Sequence, residues 1–243
     1  MLKRGKSPTE QPGDSSIITP APAPEGEEDI SDHYQINETS SALLTGTADA
    51  GDAYQEQTLF IGDSNTVRLY ANGLISLQQF CAKEGIGTSA ALNEGIVTFK
   101  KDSSTYTIAQ AVAKMKPRRV VIMLGTNDVK ERFNANAACI GAGMERLIQK
   151  CKTVDCWGGK APNILVVAPP CIKDGFHDAV MGAGCVEKSR GVAEQLRIVA
   201  ERQGVHFMDA AECEFNEVDF MHLTCKGHAR LAELLTAEVP KLV

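Results

Sequence analysis

Nowhere do the 243 residues supply the roughly 18 to 20 consecutive uncharged apolar residues that a membrane-spanning helix needs. The opening Met1-Leu2-Lys3-Arg4 is likewise not followed by an apolar signal-like run. The chain as given is therefore expected to be soluble and cytoplasmic, and to be envelope-associated or secreted if an N-terminal anchor precedes it. It has no Cys-x-x-Cys pair. Its eight cysteines, Cys81, Cys139, Cys151, Cys156, Cys171, Cys185, Cys213 and Cys225, are scattered through a sequence long enough to bury a core. They read as free, mostly buried thiols rather than as a disulfide framework. Cys213, His222 and Cys225 match no common zinc spacing, so no metal site is expected. There is no internal repeat.

Excess charge of one sign is also missing from most of the chain. Of the formal net charge of −6, residues 1–56 carry −8, from eleven acidic and three basic residues, which leaves the remainder at +2. A nearly neutral body gives no electrostatic reason to bind nucleic acid. The first 45 residues hold five of the ten prolines and the acidic run Glu25-Gly26-Glu27-Glu28-Asp29. Such a segment cannot bury enough apolar surface to offset the entropy of ordering it, so 1–45 is expected to be a disordered tail and 46–243 the folded domain.

What is present from about residue 56 is an alternation of strand and helix. Apolar runs at Thr58–Ile61, Arg119–Leu124, Asn163–Ala168 and Val205–Met208 each end in a polar or turn-forming residue, as buried parallel strands do, and a weaker strand is read at Gln79–Ala82. Helical patterns cover Thr66–Ser76, Ile108–Lys116, Ala137–Lys152, Val186–Gln203 and Gly227–Leu242. The order implies an α/β fold, a parallel sheet of about five strands with helices on both faces. Chemistry in such sheets gathers at the carboxyl ends of the strands.

Three of those ends carry suggestive residues. The first strand runs into Gly62-Asp63-Ser64, placing a serine between a strand and a helix N-terminus whose N–H groups lack partners. It reads either as a nucleophile or as a capping serine. The third strand runs into Gly125-Thr126-Asn127-Asp128, where the Asn127 amide can donate to an oxyanion or form an Asx turn. After the last strand, Asp219 stands three residues before His222, so that its carboxylate can take the Nδ1–H and leave Nε2 free to accept a serine proton. Asp209 is the rival acid. His206 reads as a satisfied core or strand-face residue, His228 as packing at the start of the final helix, and His33 as part of the tail. His177 falls in the long loop Pro169–Cys185, read as a substrate-covering lid or a plain surface loop.

Gly62-Asp63-Ser64, the glycines around Gly85-Ile86-Gly87, Gly125-Thr126-Asn127-Asp128 and Asp219-x-x-His222 resemble, in order and separation, the four sequence blocks of the SGNH (GDSL-type) hydrolase superfamily. The resemblance covers about residues 55–240. It implies a flavodoxin-like three-layer α/β/α sandwich and a serine esterase that works without any cofactor. It further implies Ser64 as nucleophile, His222 as base, Asp219 as its orienting acid, and Ser64 N–H, the Asn127 amide and a glycine N–H as oxyanion donors. That glycine is Gly87, which is followed by Thr88 and Ser89, or alternatively Gly85. Asp63 then fixes the turn. The first half resembles GDSL-type domains found on tethers in Gram-positive bacteria, and the C-terminal half resembles bacterial arylesterases and acetylxylan esterases. The latter carry Leu-Thr-Trp after the nucleophile, where this chain has Asn65-Thr66-Val67. The implied substrate is a small-molecule or carbohydrate ester, such as an O-acetyl sugar or an aryl ester. A lipid esterase or thioesterase, and a catalytically silent carbohydrate-binding domain, stay open as alternatives, as does a homo-oligomer.

Overall fold

The computed structural model describes residues 54, 56–76, 80–82, 85–88, 97–98, 105–157, 160–176 and 181–242. The expected tail, with His33, lies outside them, as do Ser89 and His177. Strands β1 (Thr58–Gly62), β2 (Phe80–Ala82), β3 (Val97–Thr98), β4 (Thr105–Tyr106), β5 (Arg119–Met123), β6 (Ile164–Ala168) and β7 (His206–Asp209) form one sheet in the order β4-β3-β2-β1-β5-β6-β7. The five strands from β2 to β7 run parallel, as expected, with Ile61 opposite Ile122, Ile122 opposite Val166 and Val167 opposite Met208. The antiparallel pair β3 and β4 extends the sheet beyond β2.

Side chains alternate across the strands, and each face is covered. Leu59, Ile61, Val120, Ile122, Ile164 and Val166 pack with helices α2 (Ile108–Met115), α3 (Ala137–Lys152), α4 (Cys185–Arg190) and α5 (Val192–Gln203). On the other face Phe60, Val121, Met123, Leu165 and Val167 pack with α1 (Ser64–Ala71) and α6 (Cys225–Glu238). That is the three-layer sandwich. β1, β5 and β6 are buried at every position, which explains why they read as continuous apolar runs.

Helix ends depart from the sequence reading for local reasons. α1 starts two residues earlier than expected because Asp63 caps it, Oδ1 accepting Asn65 N–H at 3.0 Å, and it stops at Ala71, just before Gly73 at φ 70°. The expected Val186–Gln203 helix is broken at Gly191, where a Cβ would stand 3.0 Å from that of Ala137. The last helix ends at Glu238 and gives way to a 3₁₀ turn containing Pro240, which cannot donate to an α-helical ladder. Among the described residues no helix is long and apolar enough to cross a membrane.

Candidate active site

The first residue pair at the site is a consequence of close packing. A Cβ on Gly62 would meet Thr66 Oγ1 at 1.9 Å and the Met123 carbonyl oxygen at 2.9 Å, so only glycine lets β1 turn this tightly into α1. Asp63 is the N-cap, which leaves Ser64 as the first helical residue, its N–H without an intrahelical acceptor. Ser64 Oγ lies 2.9 Å from His222 Nε2, across a separation of 158 residues.

His222 comes from the loop between β7 and α6, which is built around Asn216. The Asn216 Oδ1 accepts the N–H groups of Val218 at 2.9 Å and Asp219 at 2.8 Å, and its Nδ2 donates to the His222 carbonyl oxygen at 3.0 Å. Phe220 is held at φ 52°, unusual for an aromatic residue, and this brings Asp219 back onto the histidine. The Asp219 Oδ1 accepts His222 N–H at 2.9 Å and Met221 N–H at 3.0 Å, while Oδ2 lies 2.8 Å from Nδ1. Partial burial opposes ionisation of Asp219, but the bonds from His222 and Met221 outweigh it and draw the carboxyl down to about 2. An ionised carboxylate only accepts, so Nδ1 carries the proton and the Nε2 lone pair faces Ser64. The pair can move the hydroxyl proton onto the ring.

The 3₁₀ turn Thr126–Val129 after β5 supplies two further groups. Asn127 Nδ2 donates to Asp63 Oδ2 at 3.0 Å, joining the ends of β5 and β1. Asp128 Oδ2 accepts Thr88 N–H at 2.8 Å and Oδ1 accepts its hydroxyl at 2.9 Å, fixing the segment after β2. A Cβ on Gly87 would fall 2.4 to 2.6 Å from the Asp128 carboxylate, whereas among the described residues nothing lies within 4 Å of a Cβ on Gly85, at φ 75°. Gly87 is thus the glycine clamped into the site. Burial raises the Asp63 carboxyl to about 6, although Asn65 N–H, His222 and Asn127 all pull it the other way.

A family model for the GDSL-like lipase/acylhydrolase family matches residues 60–230, which include each of these groups. The chain belongs to the GDSL-like lipase/acylhydrolase family. It is a carboxylic ester hydrolase of the SGNH type. The native aryl esterase of M. smegmatis is 23% identical, covering 76% of this chain and 99% of that one, with a TM-score of 0.59. A carbohydrate acetylesterase from Sinorhizobium meliloti is 23% identical over 76% of this chain and 99% of its own, with a TM-score of 0.60. A GDSL-like lipase from Bacteroides thetaiotaomicron is 15% identical over 88% and 97%, with a TM-score of 0.56. These likenesses are of fold. No curated protein sequence matches the chain.

Two residues of this SGNH hydrolase, Asn216 and Asn65, had no role in the sequence reading, whereas His228 packs at the start of the last helix as expected. Asn216 organises the histidine loop. Asn65 accepts Leu223 N–H through Oδ1 at 3.2 Å and offers its carbonyl oxygen 3.3 Å from His228 Nε2, tying α1 to that loop. His228, 1% exposed, has Nδ1 2.9 Å from the Thr224 carbonyl oxygen, and burial pushes its pKa down. Only the Asx-turn character of Asn216 was a sequence signal. Asp209, the rival acid, accepts Ala211 N–H at 2.9 Å and makes no bond to His222. His206 is exposed on the edge strand. All eight cysteines are free, but only Cys81, Cys151, Cys185 and Cys213 are buried, fewer than expected. The described part of the Pro169–Cys185 loop is pinned to the body, with Glu131 N–H donating to Met181 O at 2.7 Å and Ile172, Phe176 and Met181 in the core. Among the described residues no three His, Cys, Asp or Glu side chains gather as metal ligands would.

Proposed function

We propose that the protein hydrolyses short-chain carboxylic esters, an O-acetyl group on a carbohydrate or an aryl ester, through an acyl-enzyme on Ser64. The observation that carries this reading is the relay from Ser64 Oγ to His222 Nε2 at 2.9 Å and from His222 Nδ1 to Asp219 Oδ2 at 2.8 Å. His222 takes the Ser64 proton as Oγ attacks the ester carbonyl. The oxyanion is received by Ser64 N–H, the Asn127 amide and Gly87 N–H, with Gly85 as the alternative donor. His222 then protonates the departing alkoxide, and water, activated by the same ring, releases the acid. A chain serving only to bind carbohydrate has no need of a serine hydroxyl aimed at a histidine oriented by an anion. The names of the M. smegmatis and S. meliloti proteins favour aryl and sugar acetates as first substrates.

The experiment pairs a fluorophosphonate probe with a series of p-nitrophenyl esters of increasing chain length and acetylated sugars. Labelling that disappears in Ser64→Ala, with turnover greatest on acetyl esters, is expected. Turnover that survives Ser64→Ala would remove Ser64 from the chemistry. A maximum at long acyl chains would make the enzyme a lipid esterase instead.

A further inference from the structure

We propose that Asp63 is a positioning residue for the oxyanion hole: its carboxylate fixes the Asn127 amide with nitrogen, not oxygen, facing the reacting centre. The inference rests on the reading of Ser64 and Asn127 given above. A side-chain amide can occupy one position in either of two orientations, related by a half-turn that exchanges a donor for an acceptor. Only one is useful, because Oδ1 in place of Nδ2 would set a partial negative charge against the developing oxyanion. What selects between them must be a neighbour that only donates or only accepts.

Asp63 meets that requirement. It is 2% exposed, and both of its oxygens are used as acceptors: Oδ1 from Asn65 N–H and Oδ2 from Asn127 Nδ2, each at 3.0 Å. The first bond caps α1 beside Ser64 and the second orients the amide. One Nδ2 hydrogen is thereby consumed, and no other protein group among the described residues engages the second, which remains for the substrate oxyanion. An asparagine at 63 could not do both. It has a single acceptor oxygen, so if that oxygen keeps the cap, its NH₂ faces Asn127 and selects the flipped amide. The hydrogen bonds of the Asp63 side chain go to Asn65 and Asn127 and not to the Ser64 hydroxyl, so its orienting effect passes through Asn127, beside the coulombic attraction it shares with His222.

Two variants separate the cap from the orienting role. Asp63→Ser retains a good N-cap but cannot reach Asn127, and Asp63→Asn retains the shape but not the two acceptors. Each, once shown to be folded by circular dichroism, is expected to lose on the order of 10²-fold in kcat on p-nitrophenyl acetate with KM little changed, as when one oxyanion donor is lost. Combined with Asn127→Ala, neither should reduce kcat appreciably further, since the group it positions is already gone. Ser64→Ala, measured alongside, must be inactive. If it retains turnover, the underlying reading fails and this inference with it. If Ser64→Ala and Asn127→Ala are crippled while Asp63→Ser turns over at the parental rate, the positioning role alone is overturned. Losses that multiply in the double variants overturn it equally.

Discussion

Asp219 and Asp209 offer the same functional group at nearly the same end of the sheet, and what separates them is what each carboxylate accepts. The two oxygens of Asp219 are occupied by His222 N–H, Met221 N–H and the imidazole, whereas Asp209 accepts Ala211 N–H at the exposed edge. Replacing Asp219 with Asn removes the charge that holds the proton on Nδ1 and permits the other tautomer. The rate should fall by on the order of 10³–10⁴-fold with the fold retained, and Asp209→Asn should change it little. Steady-state kinetics of the two variants decide the matter, and the reverse ranking would move the triad acid to Asp209. The pairing of Asp219 with His222 was legible because Asp219-x-x-His222 is a local arrangement. Asn65 was not. Its amide bonds Leu223 N–H across 158 residues, a contact no local pattern announces.

At the scale of elements, β1, β5 and β6 were legible because they are buried on both faces and so nearly pure in composition, whereas the edge strand β7 is buried only at Met208. β3 and β4 are two residues each, too short for any periodicity to register. The break falls at Gly191, where a Cβ would stand 3.0 Å from that of Ala137, a contact that the spacing of the apolar positions does not register. The same kind of contact distinguishes the two glycines after β2. Gly87 has the Asp128 carboxylate where a side chain would go, and that carboxylate is itself fixed by Thr88. Gly87→Ala should therefore displace the segment that carries the proposed oxyanion donor, and activity should drop by on the order of 10²-fold or more together with a lower Tm. Gly85→Ala meets only its positive φ and should cost about 1 kcal/mol of stability with turnover kept. Thermal melts and kcat values for both variants test this, and an active Gly87→Ala would transfer the donor to Gly85.

For the molecule as a whole, the site lies where the strand order reverses. From β1 the chain moves to β2 on one side, and from β5 to β6 on the other, which opens a crevice at the carboxyl ends of β1 and β5. Ser64 and Asn127 stand on the two lips, and the Asp63 to Asn127 bond spans them. The sequence supplied each lip but not the span, because which strands are neighbours is settled only by the assembled sheet. Holding that span places a carboxylate out of water, and folding stability should record it. Asp63 is raised from an ordinary 3.8 to about 6 in the folded protein, chiefly by burial. Below about pH 4 it is protonated in both folded and unfolded chains and carries no penalty. As pH rises from about 4 to about 6 the unfolded chain releases this proton first, so the folded state loses stability progressively, by on the order of 3 kcal/mol once pH exceeds 6. Asp219, drawn down to about 2, acts in the opposite sense, its stabilisation being lost as pH falls below about 4, but it is common to the parent and to Asp63→Ser. The difference in Tm between Asp63→Ser and the parent isolates the buried group. It should shift in favour of the variant between pH 4 and 6 and be level above pH 7. A flat or oppositely sloped difference would show that Asp63 is not ionised at a cost to the fold.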